Sequence, residues 1–253
     1  MTTLEALKRV FTCIDNTTLE GNDTYKKVEA LCRQSIELKD TKRGIGHVAA
    51  VCVYPVFVKQ ARGLLHGSGI KVASVAGAFP HGQSPLKVKL EEVRYALDEG
   101  AEEIDMVLSR GLLLEGEYNR VREEVAMVKG LCDDCKLKVI LETGELPSEK
   151  YVRKAAELAI EGGADFIKTS TGKIAVNATL EASEVMMEVI KKHYERTGKW
   201  VGFKAAGGIS TPDEVLKYER LAERIIGEKQ ITNQFFRIGA SRLTERLFEF
   251  LTQ

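Results

Sequence analysis

The sequence of 253 residues has no excess charge of either sign: 37 lysines and arginines balance 37 aspartates and glutamates. No global field therefore favours nucleic acid or an anionic membrane, although a local basic site stays compatible with this balance. Long hydrophobic runs are missing too. The most apolar stretch, HVAAVCVYPVFV at 47–58, is too short to span a bilayer and is interrupted by Pro55. MTTLEALKRVF at the start has no apolar core and no small-residue cleavage site, so no secretory leader is expected. Cysteine is scarce and odd in number: Cys13, Cys32, Cys52, Cys132 and Cys135. Reduced thiols and a cytoplasmic location are expected from that.

Several chemistries lack their residues. His47, His66, His81 and His193 show no metal-ligand spacing, and no G-x-S-x-G elbow is present. CDDC at 132–135 is a lone C-x-x-C; a structural zinc needs a second ligand pair, so these read as two thiols at a helix end. GIGHVA at 44–49 matches a dinucleotide fingerprint but precedes a strand instead of following one, and reads as a loop. STGK is not a phosphate-binding P-loop, because Ile167 stands where its first glycine belongs and Ile174 follows Lys173.

What is present is an alternation. Apolar residues make up 44% and charged residues 29%, ordinary for a globular chain long enough to bury a substantial core. Eight short runs rich in valine, isoleucine and phenylalanine read as strands: 12–15, 47–54, 71–79, 102–109, 137–143, 165–170, 200–207 and 235–240. Amphipathic segments lie between them. SPLKVKLEEVRYALDEG, PSEKYVRKAAELAIEGG and TPDEVLKYERLAERIIG each open with a hydroxyl residue beside a proline and close on glycine, the start and stop asymmetry of helices. SIELKDTKRGIGH at 35–47 reads as a long polar loop. Eight strand–helix units without a second-domain insertion favour one (β/α)8 TIM barrel over 1–253, with a doubly wound open sheet as the alternative.

Parity along the strands then locates ionisable groups. Side chains alternate between faces, and the outward face of a barrel strand meets helices. In DFIKTS, Ile167 suits the outside, which turns Lys168 inward. In VGFKAAG, Val201 and Phe203 face out and Lys204 faces in. In EIDMV, Ile104 and Met106 face out and Asp105 faces in. Two converging ammonium groups repel, and burial disfavours charge, so at least one lysine has a lowered pKa. A neutral lysine is a nucleophile toward a carbonyl, giving an imine that acts as an electron sink; Asp105 is then a candidate proton carrier. Loops after the seventh and eighth strands of barrels often hold phosphate. Here they read AAGGIST and GASRLTERL. Gly207 and Gly208 allow backbone N–H groups close to an anion, and Ser241 is the expected N-cap of the last helix.

DFIKTSTGK, VGFKAAGG, EIDMV, VCVYP, VILETGEL and GAS together closely resemble 2-deoxyribose-5-phosphate aldolases, a class I aldolase family, from IDNTTL almost to the last residue. The resemblance implies a TIM barrel that reversibly cleaves 2-deoxy-D-ribose 5-phosphate to acetaldehyde and D-glyceraldehyde 3-phosphate, in deoxyribose phosphate catabolism. It implies no metal or cofactor. By position it implies Lys168 as the imine-forming lysine, Lys204 as the lysine that depresses its pKa, and Asp105 as the proton relay. Asp15 and Lys173 correspond to groups near the substrate hydroxyls, and Cys52 to a cysteine near the aldehyde. Gly172, Gly207, Gly208 and Ser241 correspond to the phosphate pocket. Homo-oligomers, dimers or tetramers, are implied as well. Three departures stand out: Ala205 replaces a common proline, Arg242 replaces a second serine, and the sequence ends FLTQ without a terminal tyrosine. From the last, either slower turnover or proton transfer by another group is expected. Another imine-forming barrel aldolase, or a scaffold or sugar-phosphate sensor without activity, remain the competing readings.

Overall fold

Each of the eight apolar runs pairs with the next in sequence, and the last pairs with the first. In the computed structural model, which describes residues 2–253, these strands are β1 (Ile14–Thr17), β2 (Ala50–Val53), β3 (Lys71–Ala76), β4 (Glu103–Val107), β5 (Lys136–Ile140), β6 (Phe166–Lys168), β7 (Gly202–Ala206) and β8 (Phe236–Ala240). Every pairing is parallel. Parallel neighbours need long crossovers, and here these are helical, the arrangement of a TIM barrel. The β1–β8 pairing excludes the open sheet: Asp15 lies beside Gly239, and Ile14 beside Ile238.

The helices are α1 (Thr3–Phe11), α2 (Tyr25–Glu37), α3 (Val58–Leu64), α4 (Leu86–Asp98), α5 (Arg110–Leu114), α6 (Tyr118–Lys129), α7 (Glu149–Glu161), α8 (Leu180–Thr197), α9 (Pro212–Ile226) and α10 (Leu243–Thr252). Two depart from the sequence expectation. Thr3–Phe11, where only the lack of a leader signal was legible, is a helix because Thr2 and Glu5 form a reciprocal capping box and Leu7, Val10 and Phe11 are buried. The polar stretch 35–47 is only partly loop: α2 runs on to Glu37, and Thr41–Arg43 form a short 3-10 turn closed by an Asp40–Ile45 bridge. The hydroxyl–proline starts locate α4, α7 and α9, but only Thr211 of α9 makes a side-chain cap; Pro85 and Ser148 do not. GIGHVA is a connection ahead of β2, as read. All five cysteines are free thiols, and burial pushes Cys132 up to about 12, which suits a structural thiol between α6 and β5.

Outward strand residues such as Val51, Ile104, Met106, Val139, Ile167 and Phe203 join the helices in one large apolar core. A smaller apolar cluster lies inside the barrel, where Ala50, Cys52, Ala73 and Val75 from β2 and β3 meet Leu19. The rest of the interior is mostly charged, with the Phe166 ring packed beneath Arg237. Gly202 shows how tightly it is filled: a Cβ there would lie 2.2 Å from the Phe166 ring, so only glycine fits beside that phenylalanine. No described helix is long and apolar enough to cross a membrane.

Candidate active site

Register brings the inward ionisable groups to similar depth. Lys168 lies opposite Lys204 on adjacent β6 and β7, and Asp105 lies opposite Lys138 on β4 and β5. Lys168, Lys204, Asp105 and Asp15 are all buried, as is Cys52. Asp105 Oδ2 accepts from both Lys168 Nζ and Lys204 Nζ, each at 2.8 Å. The two amines are therefore no farther apart than two hydrogen bonds laid end to end. Lys204 also donates to Asp15 Oδ2.

Three further charges complete the cluster, and the sequence reading did not single them out. Lys138 pairs with Asp105 Oδ1 and Glu103 Oε2, each at 2.6 Å, and with Asp15 at 3.7 Å. Arg237 on β8 pairs with Asp15 at 2.5 Å and Glu103 at 2.8 Å. Each obeys the alternation rule. Lys138 in KLKVI, Arg237 in FFRIG and Glu103 in EEIDM share inward parity with the residues that were found.

The pairing pattern sets the proton affinities. Burial disfavours the ammonium of Lys168, and its one carboxylate partner does not offset burial plus the charge of Lys204; its pKa is lowered. Burial acts on Lys204 too, but Asp105 and Asp15 outweigh it and raise its pKa. Lys138 is raised for the same reason, with Asp105, Glu103 and Asp15 opposing burial. Burial would raise Asp105 and Asp15, yet the surrounding cations overcome it and hold both below the usual carboxylate range. Burial, and then the charge of Asp105, push Cys52 up to about 11. The result is one amine that holds its proton more weakly than an ordinary lysine, beside a charged lysine and an ionised carboxylate. Such an amine can add to a carbonyl, and its neighbours can supply and accept protons.

Above the cluster opens a cavity of about 690 Å³, lined by Lys168, Gly172, Lys173, Gly207, Gly208, Ser241 and Arg242 among others. The three glycines all have positive φ, near 80°, and so turn their backbone without a Cβ penalty. Lys173 Nζ is held by Glu20 of the loop after β1 at 2.9 Å, apart from the buried cluster. The expected Ser241 cap is not made: the chain stays non-helical through Arg242, which takes the N-cap position, and no side chain bonds the first turn of α10. Among the described residues Arg242 makes no ion pair. Among those residues, too, no group of three His, Cys, Asp or Glu side chains is arranged to hold a metal ion; Asp15, Glu103 and Asp105 are instead each paired with cations.

A family model described as DeoC/LacD family aldolase matches residues 9–231. The chain belongs to the DeoC/LacD aldolase family. Aldolases of this family are carbon–carbon lyases. Over 248 residues the chain is 44% identical to the deoxyribose-phosphate aldolase of Mus musculus, covering 94% of this chain and 78% of that protein. Among solved structures it is similar to QR15, an aldolase, with TM-score 0.80, 32% identity and 96% of each chain covered. The deoxyribose phosphate aldolase of Aeropyrum pernix, described as tetrameric, matches with TM-score 0.77 and 26% identity over 99% of this chain and 97% of that one. The lysine-rich barrel interior is thus that of an aldolase.

Proposed function

We propose that this aldolase cleaves 2-deoxy-D-ribose 5-phosphate through an imine on Lys168. The observation that carries the reading is the unequal sharing of Asp105: Lys168 holds one oxygen of it and shares that oxygen with Lys204, at the floor of a cavity. Neutral Lys168 adds to the C1 aldehyde of the open-chain sugar, and loss of water gives a protonated imine. A base removes the proton of the 3-hydroxyl, the C2–C3 bond breaks, and its electrons move into the imine to give an enamine. D-Glyceraldehyde 3-phosphate leaves. Protonation of the enamine carbon and hydrolysis then release acetaldehyde and return the amine. Asp105 and protonated Lys204 carry the protons for dehydration and enamine protonation.

The substrate's far end takes the cavity rim. Backbone N–H groups around Gly172, Gly207 and Gly208, with Ser241 at the start of α10, receive the phosphate. Lys173 and Asp15 face the hydroxyls. Cys52 lies beside the aldehyde as a neutral thiol. The enzyme acts in breakdown of deoxyribose phosphates, and as a homo-oligomer, a reading supported by the tetrameric Aeropyrum pernix relative. Borohydride trapping with acetaldehyde, read by intact mass and peptide mapping, tests the mechanism. A reduced two-carbon adduct on Lys168 that disappears in Lys168→Ala supports it. A folded protein that gives no adduct there overturns it.

A further inference from the structure

Glu142, two residues beyond β5, is buried, lies outside the ring of charges at Lys168, and carries an unusual backbone. Its φ is 54° and its ψ 59°, the left-handed region that a residue with a Cβ adopts only under constraint. Strain of this kind persists where surrounding contacts over-determine it. Here the contacts are specific. Glu142 accepts the backbone N–H of Thr171 at 3.1 Å through Oε1, and the Thr171 hydroxyl at 2.5 Å through Oε2.

The chain of bonds continues toward the cavity. With its proton directed at Glu142, the Thr171 hydroxyl offers its lone pairs to the backbone N–H of Lys173, at 3.1 Å. One carboxyl group thus fixes Thr171 directly and Lys173 through it. Thr171, Gly172 and Lys173 all line the cavity. Two residues after Glu142, Gly144 seats the next part of the same loop: a Cβ there would stand 2.0 Å from the carbonyl oxygen of Val176. The turn after β5 is therefore the bed on which the loop after β6 rests.

We infer that Glu142 is a positioning residue for sugar-phosphate recognition: it sets the 171–173 segment against the phosphorylated end of the substrate without touching substrate itself. This rests on the reading that the cavity binds a phosphorylated sugar. The left-handed turn is what aims the Glu142 carboxyl group at Thr171, and removing the carboxyl group frees the loop while leaving Lys168 and its partners in place.

Two variants separate grip from folding. Glu142→Gly relieves the backbone strain and removes both acceptors, whereas Glu142→Gln keeps size and one acceptor. Expected for Glu142→Gly is a KM for 2-deoxyribose 5-phosphate raised about tenfold, in line with loss of charge-assisted hydrogen bonds. The rate of acetaldehyde trapping on Lys168 stays within about twofold of wild type, because that step needs no phosphate grip. Glu142→Gln lies between, and carries the test if the glycine variant does not fold. An unchanged KM in a folded variant overturns the inference. So does a parallel fall in KM-independent trapping, which would mark a residue that merely supports the fold. Titration with inorganic phosphate gives a readout independent of turnover: weaker binding in the variant supports the inference even if wild type traps no acetaldehyde, an outcome that sinks the proposed mechanism alone. Equal phosphate binding in both proteins counts against Glu142.

Discussion

On β2 and β3 the barrel interior is filled by Ala50, Cys52, Ala73 and Val75, packed as a small apolar cluster. On the other six strands it carries Asp15, Glu103, Asp105, Lys138, Lys168, Lys204 and Arg237, linked by ion pairs. The first half needs no partners. The second is tolerable only as a network, because an unpaired buried charge costs several kcal/mol. Three carboxylates face four cations there. One cation is in surplus, and the pairing decides which. Lys138, Lys204 and Arg237 each touch two or more carboxylates; Lys168 touches one, and shares it. Lys168 is also the member whose pKa is lowered. The charged half thus holds its excess proton weakly at one defined amine.

Removing the surplus amine is the sharpest test. Lys168→Met should lower cleavage by about 10⁴-fold or more in steady-state assays, while its melting temperature holds or rises, since the remaining charges balance. A clear loss of stability would break the comparison. Lys204→Met should behave oppositely in stability: Asp15 and Asp105 each lose a partner, at a cost of about 3–5 kcal/mol in denaturant titrations. Its activity should fall about 10²–10⁴-fold. The pH midpoint for trapping on Lys168 should move upward in that variant, because the charge of Lys204 is one of the things holding it down.

In the apolar half, Ala73→Asp introduces a charge without a partner and should cost about 3 kcal/mol or more. Acid should expose the network in the unmodified protein. Asp15 and Asp105 have lowered pKa values in the fold, so their contribution is complete above the unfolded value of about 3.9 and is lost as pH falls below it. Melting temperature measured from pH 7 downward should start to drop near pH 4. Cys52→Ala should do least: about 1 kcal/mol of stability and a kcat/KM within about threefold, as expected of a thiol pushed up to about 11 by burial and so uncharged. A large loss of activity there would move Cys52 into the chemistry.

Much of this was legible beforehand. Simple alternation turns Lys168, Lys204 and Asp105 inward, and the structure places them in contact. Alternation gives a face but neither depth nor partner. That is why Lys138, Glu103 and Arg237 do not stand out in the sequence: a charged residue near the start of a strand looks like one still leaving a turn, until closure of the barrel buries it. Ser241 failed as a cap because helix starts shift by a residue with local φ and ψ. The left-handed Glu142 has no sequence signal of its own, since its conformation is imposed by Thr171 across a neighbouring loop.

By itself the sequence determined the eight strands, their alternation with helices, and the inward set on β4, β6 and β7, because period-two patterning and helix punctuation are local properties of the chain. Only the tertiary structure decided which lysine holds its proton most weakly. That depends on how many carboxylate oxygens lie within about 3 Å of each amine, and Lys204 meets those of both Asp105 and the distant Asp15, which is brought beside it when β8 closes on β1.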